Sequence, residues 1–304
     1  MRSQKMLGTV MLLLAAFFWG CSFVVQAVGM EYVGPYTLQA VRLLLGSAVL
    51  APLVLWRSGM KKKAGIVTTP TQKKRAVIGG ACCGVILTVA ANLQQVGIHA
   101  MQLAGQSNVA GKSAFITAMY VLIVPLVSVV MGKKLSRRTL IAAVMGAVGL
   151  YLLCIQGGSF ALGGGDHLIV MCAFGFAAHI LVIDHFADVD GILLSCLQFL
   201  VAGIISSVIM FAVEQPTWKA VLDCWMPIAY MAVMSCGVAY TLQIVGQKYV
   251  APTAASLLMS MESVFSMLCG MIVLHQIPSI REGWGCVIML AAILLCQLPD
   301  RKKA

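Results

Sequence analysis

Charged residues are scarce in this chain. Only 10% of its 304 residues are Asp, Glu, Lys or Arg, and ten residues in all are acidic. A water-soluble globular domain carries roughly 25% charged residues, so this composition excludes a chain whose surface is covered mainly by water. Hydrophobic residues make up 61% of the sequence and the mean hydropathy is +0.96. The solvent that fits these values is the lipid bilayer.

Motifs that would identify an ATP-driven pump or a metalloprotein are also missing. No G-x-x-x-x-G-K-[ST] sequence is present to hold nucleotide phosphates, so we expect a gradient to drive any transport. The 11 cysteines lack the short paired spacing of a zinc site. Most of them lie within apolar runs, where small side chains pack between helices. The sequence therefore predicts no cofactor and no metal site.

The sequence contains about ten apolar runs, each long enough to cross a bilayer as a helix of roughly 20 residues. A helix satisfies its own backbone hydrogen bonds where no water is available. The approximate centres of the runs are Phe18, Gly46, Ile86, Met119, Met145, Gly175, Gly203, Val233, Phe265 and Met289. The predicted fold class is an all-α membrane protein with ten transmembrane helices.

Basic residues are distributed unequally between the loops that connect these runs. If ten spans are correct, 17 of the 21 Lys and Arg residues fall on one side, mainly in 57–75, 133–138 and near the termini. The positive-inside rule then places both termini in the cytoplasm of a multi-pass protein of the plasma membrane, which is the inner membrane in a bacterium. The net charge of +11 follows loop parity and forms no single binding face, so we expect no nucleic-acid partner.

A short internal repeat suggests two related halves. LQQVG at 93–97 and LQIVG at 242–246 lie 149 residues apart, and each ends an apolar run that precedes a polar break. Five spans in each half is an odd number, so the second half must enter the membrane from the opposite side. We therefore predict that 1–156 and 157–304 are inverted five-helix repeats. Secondary transporters are often built this way, with a substrate site near the midplane between the repeats.

Several segments resemble the EamA-type family of the drug/metabolite transporter superfamily. They are FFWGCSFV, VRLLLGSAVLAPLVL, LQQVGIHAMQLAGQSNVAGKSAFITAMYVLIVPL, ASLLMSMESVFSMLCGMIVL and GWGCVIMLAAILL, and together they extend over essentially the whole chain. The resemblance implies ten helices in two inverted repeats around a central cavity. It also implies that spans one, three, four, six, eight and nine line that cavity.

The sequence departs from the family pattern at three places. Glu262 is followed by Ser263 and Tyr120 by Val121, where the family usually has proline, and His275-Gln276 replaces a Gly-Glu pair. The two missing prolines argue against a pronounced kink at these positions, because proline is a common cause of helix kinks.

Polar side chains inside the apolar runs are the candidates for substrate binding. A charge at mid-depth costs roughly 2.5–3.5 kcal/mol, so it should face the bundle interior or a wet cavity. We expect Lys112 and Glu262 to lie at similar depth in spans four and nine. The predicted substrate-binding residues are Trp19, Arg42, Asn92, Gln95, Lys112, Tyr120, His179, Tyr240, Gln243 and Glu262.

Each of these residues has a purely structural alternative. Arg42 could extend its side chain to the headgroups, and Lys112 and Glu262 could form a buried ion pair that only joins two helices. His179 could be a hydrogen-bonded packing residue. Interhelical hydrogen bonding is the alternative role of the amide side chains of Asn92, Gln94, Gln95 and Gln243. Packing is the alternative role of the aromatic rings of Trp19 and Tyr240.

The functional interpretation is a secondary transporter without enzymatic activity. It would move a small polar or amphipathic metabolite (amino acid-like, amine or nucleobase-like) by alternating access, with protons as the candidate coupling ion, as a monomer or homodimer. Two alternatives stay open. Asp184 and Asp188 are spaced as in a magnesium-dependent intramembrane prenyltransferase, although no second aspartate cluster accompanies them. A membrane scaffold that transports nothing is the other.

Overall fold

A computed structural model describes residues 2–65, 69–106, 109–132, 136–154, 164–274 and 280–297. Within these ranges all the regular secondary structure is helical. In the first half the helices are α1 (Arg2–Gly29), α2 (Pro35–Lys63), α3 (Pro70–Leu103), α4 (Val109–Ala118), α5 (Tyr120–Val130) and α6 (Arg137–Cys154). The boundary predicted between the two halves, at 156/157, lies outside the described residues.

The second half contains shorter helices as well as long ones. They are α7 (Asp166–His185), α8 (Gly191–Val213), α9 (Trp218–Asp223), α10 (Trp225–Tyr230), a π-helical segment (Met231–Tyr240), α11 (Thr241–Gln247), α12 (Pro252–Met259), α13 (Glu262–Leu274) and α14 (Ile280–Gln297). Local sequence explains several of the starts. Proline is the first residue of α2, α3 and α12, where its missing N–H is not needed.

Eight helical segments are long and apolar enough to cross a membrane. They are Ser3–Gly29, Pro35–Lys63, Pro70–Leu103, Val109–Val130, Asp166–His185, Gly191–Val213, Trp225–Gln247 and Pro252–Val273. The other two apolar runs, centred at Met145 and Met289, form α6 and α14, which have 18 described residues each. The shorter apolar stretch Gly283–Cys296 is part of α14. The described chain is therefore an all-helical, multi-pass membrane protein with eight clear candidate spans.

Two of the spans are interrupted near their middle, contrary to the expectation drawn from the missing prolines. One break lies at Met119, between α4 and α5, and the other at 260–261, between α12 and α13. Around both breaks the backbone uses tighter bonds between residues three apart, from Met119 N to Ile116 O and from Met261 N to Leu258 O. Directly after α12 the Ser260 hydroxyl also donates to a backbone oxygen of the preceding turn. A bond of this kind bends a helix that contains no proline.

A π-helical segment of 10 residues occupies the eighth apolar run. Each turn of a π-helix contains more residues than a turn of α-helix, and such segments are frequent at functional sites. Nothing in the periodicity of MAVMSCGVAY announces this geometry. The segment ends at Tyr240, whose ring packs edge-on against Trp19 with a centroid separation of 4.7 Å.

Small residues spaced four apart allow neighbouring helices to approach closely. A Cβ atom at Gly20 would lie 2.7 Å from the backbone oxygen of Glu262, and one at Gly84 would lie 2.8 Å from that of Gln198. Each glycine lies four residues after another small residue, Ala16 and Gly80 respectively. Helix α1 is thereby held against α13, and α3 against α8.

Interhelical polar contacts mark the two ends of the bundle. At one end Lys61 and Arg75 pair with Asp190 and Asp188, with N–O distances of 2.7 and 2.6 Å. At the other end the Glu214 carboxylate accepts hydrogen bonds from the first turn of α2, including 2.8 Å from Thr37 N. The first of these is the basic end, because it contains the segment 57–75.

Candidate functional site

The central feature of the bundle is a small cavity with a volume of about 40 Å³. This volume has room for about three water molecules. Its walls come from α1, α2, α3, α4, α5, α7, the π-helical segment, α11, α12 and α13. These include every span that the family resemblance implied, and α2 is added through Arg42.

Six of the ten predicted site residues come together around this cavity, and nine further residues complete its wall. The six are Trp19, Arg42, Tyr120, Tyr240, Gln243 and Glu262, and the nine are Ser22, Phe23, Gln26, Gln94, Thr117, Phe176, Ile180, Ser235 and Met259. Residues from both halves of the chain therefore share one wall.

The carboxyl group of Glu262 is placed by the two helix breaks. Glu262 is the first residue of α13 and Tyr120 is the first residue of α5, so each follows the break in its own span. The Tyr120 hydroxyl donates to Glu262 Oε1 at 2.9 Å, and both side chains are buried. Among the described residues no cation lies within 4.0 Å of this carboxylate.

Arg42 brings the opposite charge to the same cavity. Its side chain is 4% exposed, so the alternative of extension to the headgroups is wrong. Its Nε atom has no hydrogen-bond partner, and no described carboxylate lies within 4.0 Å of its guanidinium nitrogens. A guanidinium stays protonated in proteins, and a buried charge is costly unless it is paired. The geometry therefore leaves a positive charge available to an anionic group in the cavity.

Three further polar atoms of the cavity wall are buried without a hydrogen-bond partner among the described residues. They are Trp19 Nε1, Gln26 Oε1 and Gln243 Oε1. Native interiors leave few buried polar groups unpaired. A polar ligand in the cavity would have these three atoms available for hydrogen bonds. Gln94, by contrast, donates to the Thr117 hydroxyl at 3.0 Å.

Lys112 does not pair with Glu262, so the alternative of a buried ion pair between these two residues is wrong. Lys112 Nζ contacts Asp166 Oδ2 at 2.6 Å and Gln106 Oε1 at 3.0 Å. Helix α4 begins at Val109 and α7 begins at Asp166, so this ion pair lies near helix ends, away from the breaks. Lys112 does not line the cavity. The sequence of the fourth apolar run alone did not show which helix Lys112 would contact.

Three other predicted residues also lie outside the cavity wall. Asn92 donates to the Ser206 hydroxyl of α8 at 2.9 Å, and Gln95 Nε2 lies 2.9 Å from the Met30 sulfur. His179 Nε2 hydrogen-bonds Gln198 Oε1 at 2.9 Å, and its ring packs against Tyr240. Their structural alternatives, interhelical contact and packing, describe these positions. Successive helical residues are separated by about 100°, which turns Gln94 toward the cavity and its neighbour Gln95 away from it.

Three of the residues missed from the sequence share one face of α1 with Trp19, which was predicted. On α1 the cavity residues are Trp19, Ser22, Phe23 and Gln26. Their spacing of three and four residues is that of one helix face. A polar stripe inside an apolar run is thus the signal that would have identified Ser22 and Gln26. No comparable pattern identifies Phe176, Ile180 or Met259.

The aspartates that suggested a magnesium-dependent transferase lie at the basic end of the bundle, outside this cavity. Both carboxylate oxygens of Asp188 accept hydrogen bonds from Arg75, at 2.6 and 2.9 Å. In the part of the chain that the structure describes, no group of three or more His, Cys, Asp or Glu side chains could hold a metal ion. No observation therefore favours that alternative.

Comparisons with known proteins agree with the transporter interpretation. The chain is 25% identical over 301 residues to an uncharacterized transporter from Archaeoglobus fulgidus, covering 97% of this chain and 87% of that protein. A solved crystal structure of a protein superposes with a TM-score of 0.73 at 17% identity, covering 95% of this chain and 96% of the other. The second likeness concerns the fold alone.

The pattern of the EamA-like transporter family matches residues 6–155 and again residues 163–297. Together the two matches cover nearly the whole chain, including every helix that contributes to the cavity. The resemblance seen in the sequence is thereby confirmed, and the membrane-transporter interpretation with it. The chain belongs to the EamA-like transporter family, which is part of the drug/metabolite transporter superfamily.

Proposed function

We propose that this protein is a secondary transporter with ten transmembrane helices in two inverted repeats, which moves a small amphipathic zwitterion across the plasma membrane by alternating access. The observation that carries the proposal is a basic and an acidic side chain, Arg42 and Glu262, that lie on the wall of one cavity without an ion-pair partner among the described residues. Both termini would lie in the cytoplasm, and 57–75 with them.

The helix contacts support two repeats. Helix α1 of the first half packs against α13 of the second half, and α7 of the second half packs against α4 of the first. In the same way, α2 contacts the π-helical segment and its counterpart α8 contacts α3. Helix α2 packs on α8 and α6 packs on α14, so each of these helices contacts its own counterpart. A two-fold relation between the halves produces such a pattern. The two successive family matches are consistent with it.

Two hydrogen bonds join residues that are separated by the same interval as the repeated pentapeptides. Ser47 donates to Cys196 O at 3.0 Å and Ser263 donates to Ala114 O at 3.1 Å, and each pair is 149 residues apart. Equivalent residues of two repeats touch only when they lie close to the axis that relates the repeats. These contacts therefore support 1–156 and 157–304 as the repeats, with the cavity between them.

The chemistry of the wall supports the substrate class. The Arg42 guanidinium offers hydrogen bonds to a carboxylate, and the Glu262 carboxylate offers an acceptor for an ammonium group. The aromatic rings of Trp19, Phe176 and Tyr240 supply apolar area between them. An amino acid-like zwitterion meets all three requirements. An uncharged nucleobase would leave both buried charges unpaired, and an amine would leave Arg42 unpaired.

The small free volume supports a substrate pathway that opens and closes. A cavity with room for about three waters admits an amino acid only after the helices around it separate. The breaks in the fourth and ninth spans provide places for such movement, since discontinuous helices line the substrate sites of many secondary transporters. Protons are the proposed coupling ion. A monomer and a homodimer are both compatible with a cavity enclosed by one chain.

Counterflow in proteoliposomes tests this function. L-leucine, L-threonine and L-phenylalanine should exchange, whereas their amides and N-acetyl derivatives, which lack one of the two charges, should not. Arg42→Gln should reduce exchange about 10- to 100-fold, the value of a charge-assisted hydrogen bond. The matched control is Arg281→Gln, since Arg281 stacks on Tyr151 outside the cavity. Exchange of amines or nucleobases alone would retain the transporter and reject the zwitterion. No flux of any compound would reject both.

A further inference from the structure

A second cavity lies at the basic end of the bundle, remote from the central one. It is an open cleft of about 770 Å³ between the end of α2, the start of α3 and the start of α8. Five basic and two acidic side chains line it, giving a net charge of three positive: Arg57, Lys61, Lys62, Lys73, Arg75, Asp188 and Asp190. No step of the proposed transport cycle uses this cleft.

The two acidic side chains neutralise only part of the positive charge. Asp188 is bound by Arg75, while Asp190 contacts Lys61 at 2.7 Å and Arg57 at 3.6 Å. The hydrogen bond from Arg75 holds the pKa of Asp188 below its ordinary value, so this carboxylate is ionised at neutral pH. Lys62 and Lys73 are exposed and make no ion pair within the described residues. Two lysines therefore remain to bind an anion.

The surroundings of the cleft indicate its depth in the membrane. Leu55 and Trp56, which immediately precede Arg57 on α2, are 72% and 62% exposed. Tryptophan is enriched at the boundary between headgroups and acyl chains. Apolar side chains also line the cleft, including Val54, Ile192 and Leu193. The cleft thus combines a basic rim with an apolar wall at the level of the lipid headgroups.

We propose that this cleft binds the headgroup of an anionic phospholipid, with Lys62 and Lys73 on its phosphate and the apolar wall along the start of its acyl chains. Lysine binds phosphate as a point charge, and basic pockets beside transmembrane helices are suited to anionic headgroups. A free phosphate ion would use the lysines but gain nothing from Val54, Ile192 or Leu193. The apolar wall is therefore the reason to assign the site to a lipid.

The test is a titration of the whole protein in neutral detergent, with the melting temperature as readout. Dioctanoyl phosphatidylglycerol should raise Tm in a saturable manner, and dioctanoyl phosphatidylcholine should not. The double variant Lys62→Gln/Lys73→Gln should move the midpoint of the phosphatidylglycerol titration about 10- to 30-fold higher, at about 1 kcal/mol per lysine. Its matched control is Lys63→Gln/Lys74→Gln, which removes the same charge from adjacent exposed positions outside the cleft.

Three results would overturn the proposal. Equal shifts for the two double variants would mean that only net charge matters. A response to inorganic phosphate as strong as that to phosphatidylglycerol, with the same dependence on Lys62 and Lys73, would reassign the cleft to a free anion. Stabilisation by phosphatidylcholine to the same extent would mean that the charged rim is irrelevant. Since Lys62 and Lys73 are exposed and make no ion pair among the described residues, the variants are expected to fold.

Discussion

At the scale of single residues, two buried ionisable side chains are the main polar groups of the site. Arg42 and Glu262 belong to different halves of the chain, and neither has an ion-pair partner among the described side chains. The Glu262 carboxylate accepts a hydrogen bond from the Tyr120 hydroxyl, which is a neutral group. The loss of Lys112 as a partner changes the interpretation of Glu262, because no nearby cation among the described residues competes with a substrate ammonium for this carboxylate.

Glu262→Gln keeps the shape of the side chain but removes its charge. We expect it to weaken binding of L-leucine by at least about tenfold, because a charge-assisted hydrogen bond to the ammonium group is lost. Tyr120→Phe should have a smaller effect, since it leaves the carboxylate in place. Binding is measured by the concentration dependence of the melting temperature. A Gln variant that binds and exchanges normally, but no longer accumulates substrate under a pH gradient, would make Glu262 a proton carrier and not a substrate anchor.

The ion pair between Lys112 and Asp166 gives a second prediction at this scale. Asp166 is fully buried whereas the Lys112 side chain is 28% exposed. Lys112→Ala should lower stability by roughly 1–3 kcal/mol, less than the full cost of breaking a buried pair, because the lysine is partly solvated. Adding Asp166→Asn should restore part of the loss. Thermal melting measures both effects, with the exposed Lys219→Ala as control. Reduced flux at an unchanged Tm would instead give Lys112 a role in transport.

At the scale of helices, the two breaks and the π-helical segment shape the site. Each break precedes one member of the Tyr120–Glu262 pair, and the π-helical segment ends at Tyr240. Regular α-helices through the same runs would carry these side chains at other angles around the helix axis. At the second break a serine hydroxyl bonds to the preceding turn, and both breaks contain backbone bonds between residues three apart, although the family's prolines are missing.

Close packing of α1 on α13 should be essential to this arrangement. A Cβ atom at Gly20 would meet the backbone oxygen of Glu262 at 2.7 Å and the backbone nitrogen of Ser266 at 2.8 Å. Gly20→Ala should therefore push the helices apart, lowering stability by about 1–3 kcal/mol and reducing L-leucine exchange.

Gly59→Ala is the matched control, because a Cβ atom at this helical glycine would have no neighbouring atom within 4 Å. Alanine there should be neutral or stabilising by up to about 1 kcal/mol. Melting temperatures of the two variants measure the difference. Equal melting and equal exchange would show that α1 and α13 can separate without cost, contrary to the close contact at Gly20.

At the scale of the whole molecule, the prediction concerns the orientation in the membrane. Lys63→Cys and Lys74→Cys lie in the basic segment, and Lys219→Cys follows the opposite end of α8. A membrane-impermeant maleimide added to intact cells should label position 219 only, because the positive-inside rule keeps the basic end in the cytoplasm. Labelling after lysis should reach all three positions. Labelling of positions 63 and 74 in intact cells would invert the orientation and remove the basis for cytoplasmic termini.

The membrane environment, the helical class, the positions of the apolar runs and the family could all be predicted from the amino-acid sequence alone. These properties depend on local composition, since an apolar run in lipid has few alternatives to a helix. The close approaches at Gly20 and Gly84 were likewise predictable, because a missing side chain is a local property. Six of the residues that line the cavity were also predicted from the sequence, as polar or aromatic groups inside apolar runs.

Which polar residues meet depends on how the helices pack in three dimensions. The start of α4 set the depth of Lys112 and gave it Asp166 as a partner, and helix rotation turned Gln94 toward the cavity and Gln95 away from it. The breaks at 119 and 260–261 and the π-helical segment also depend on the tertiary structure. Rotation, depth and local unwinding are fixed by packing between helices distant in sequence, and the free-energy differences among the alternatives are not encoded in any single run.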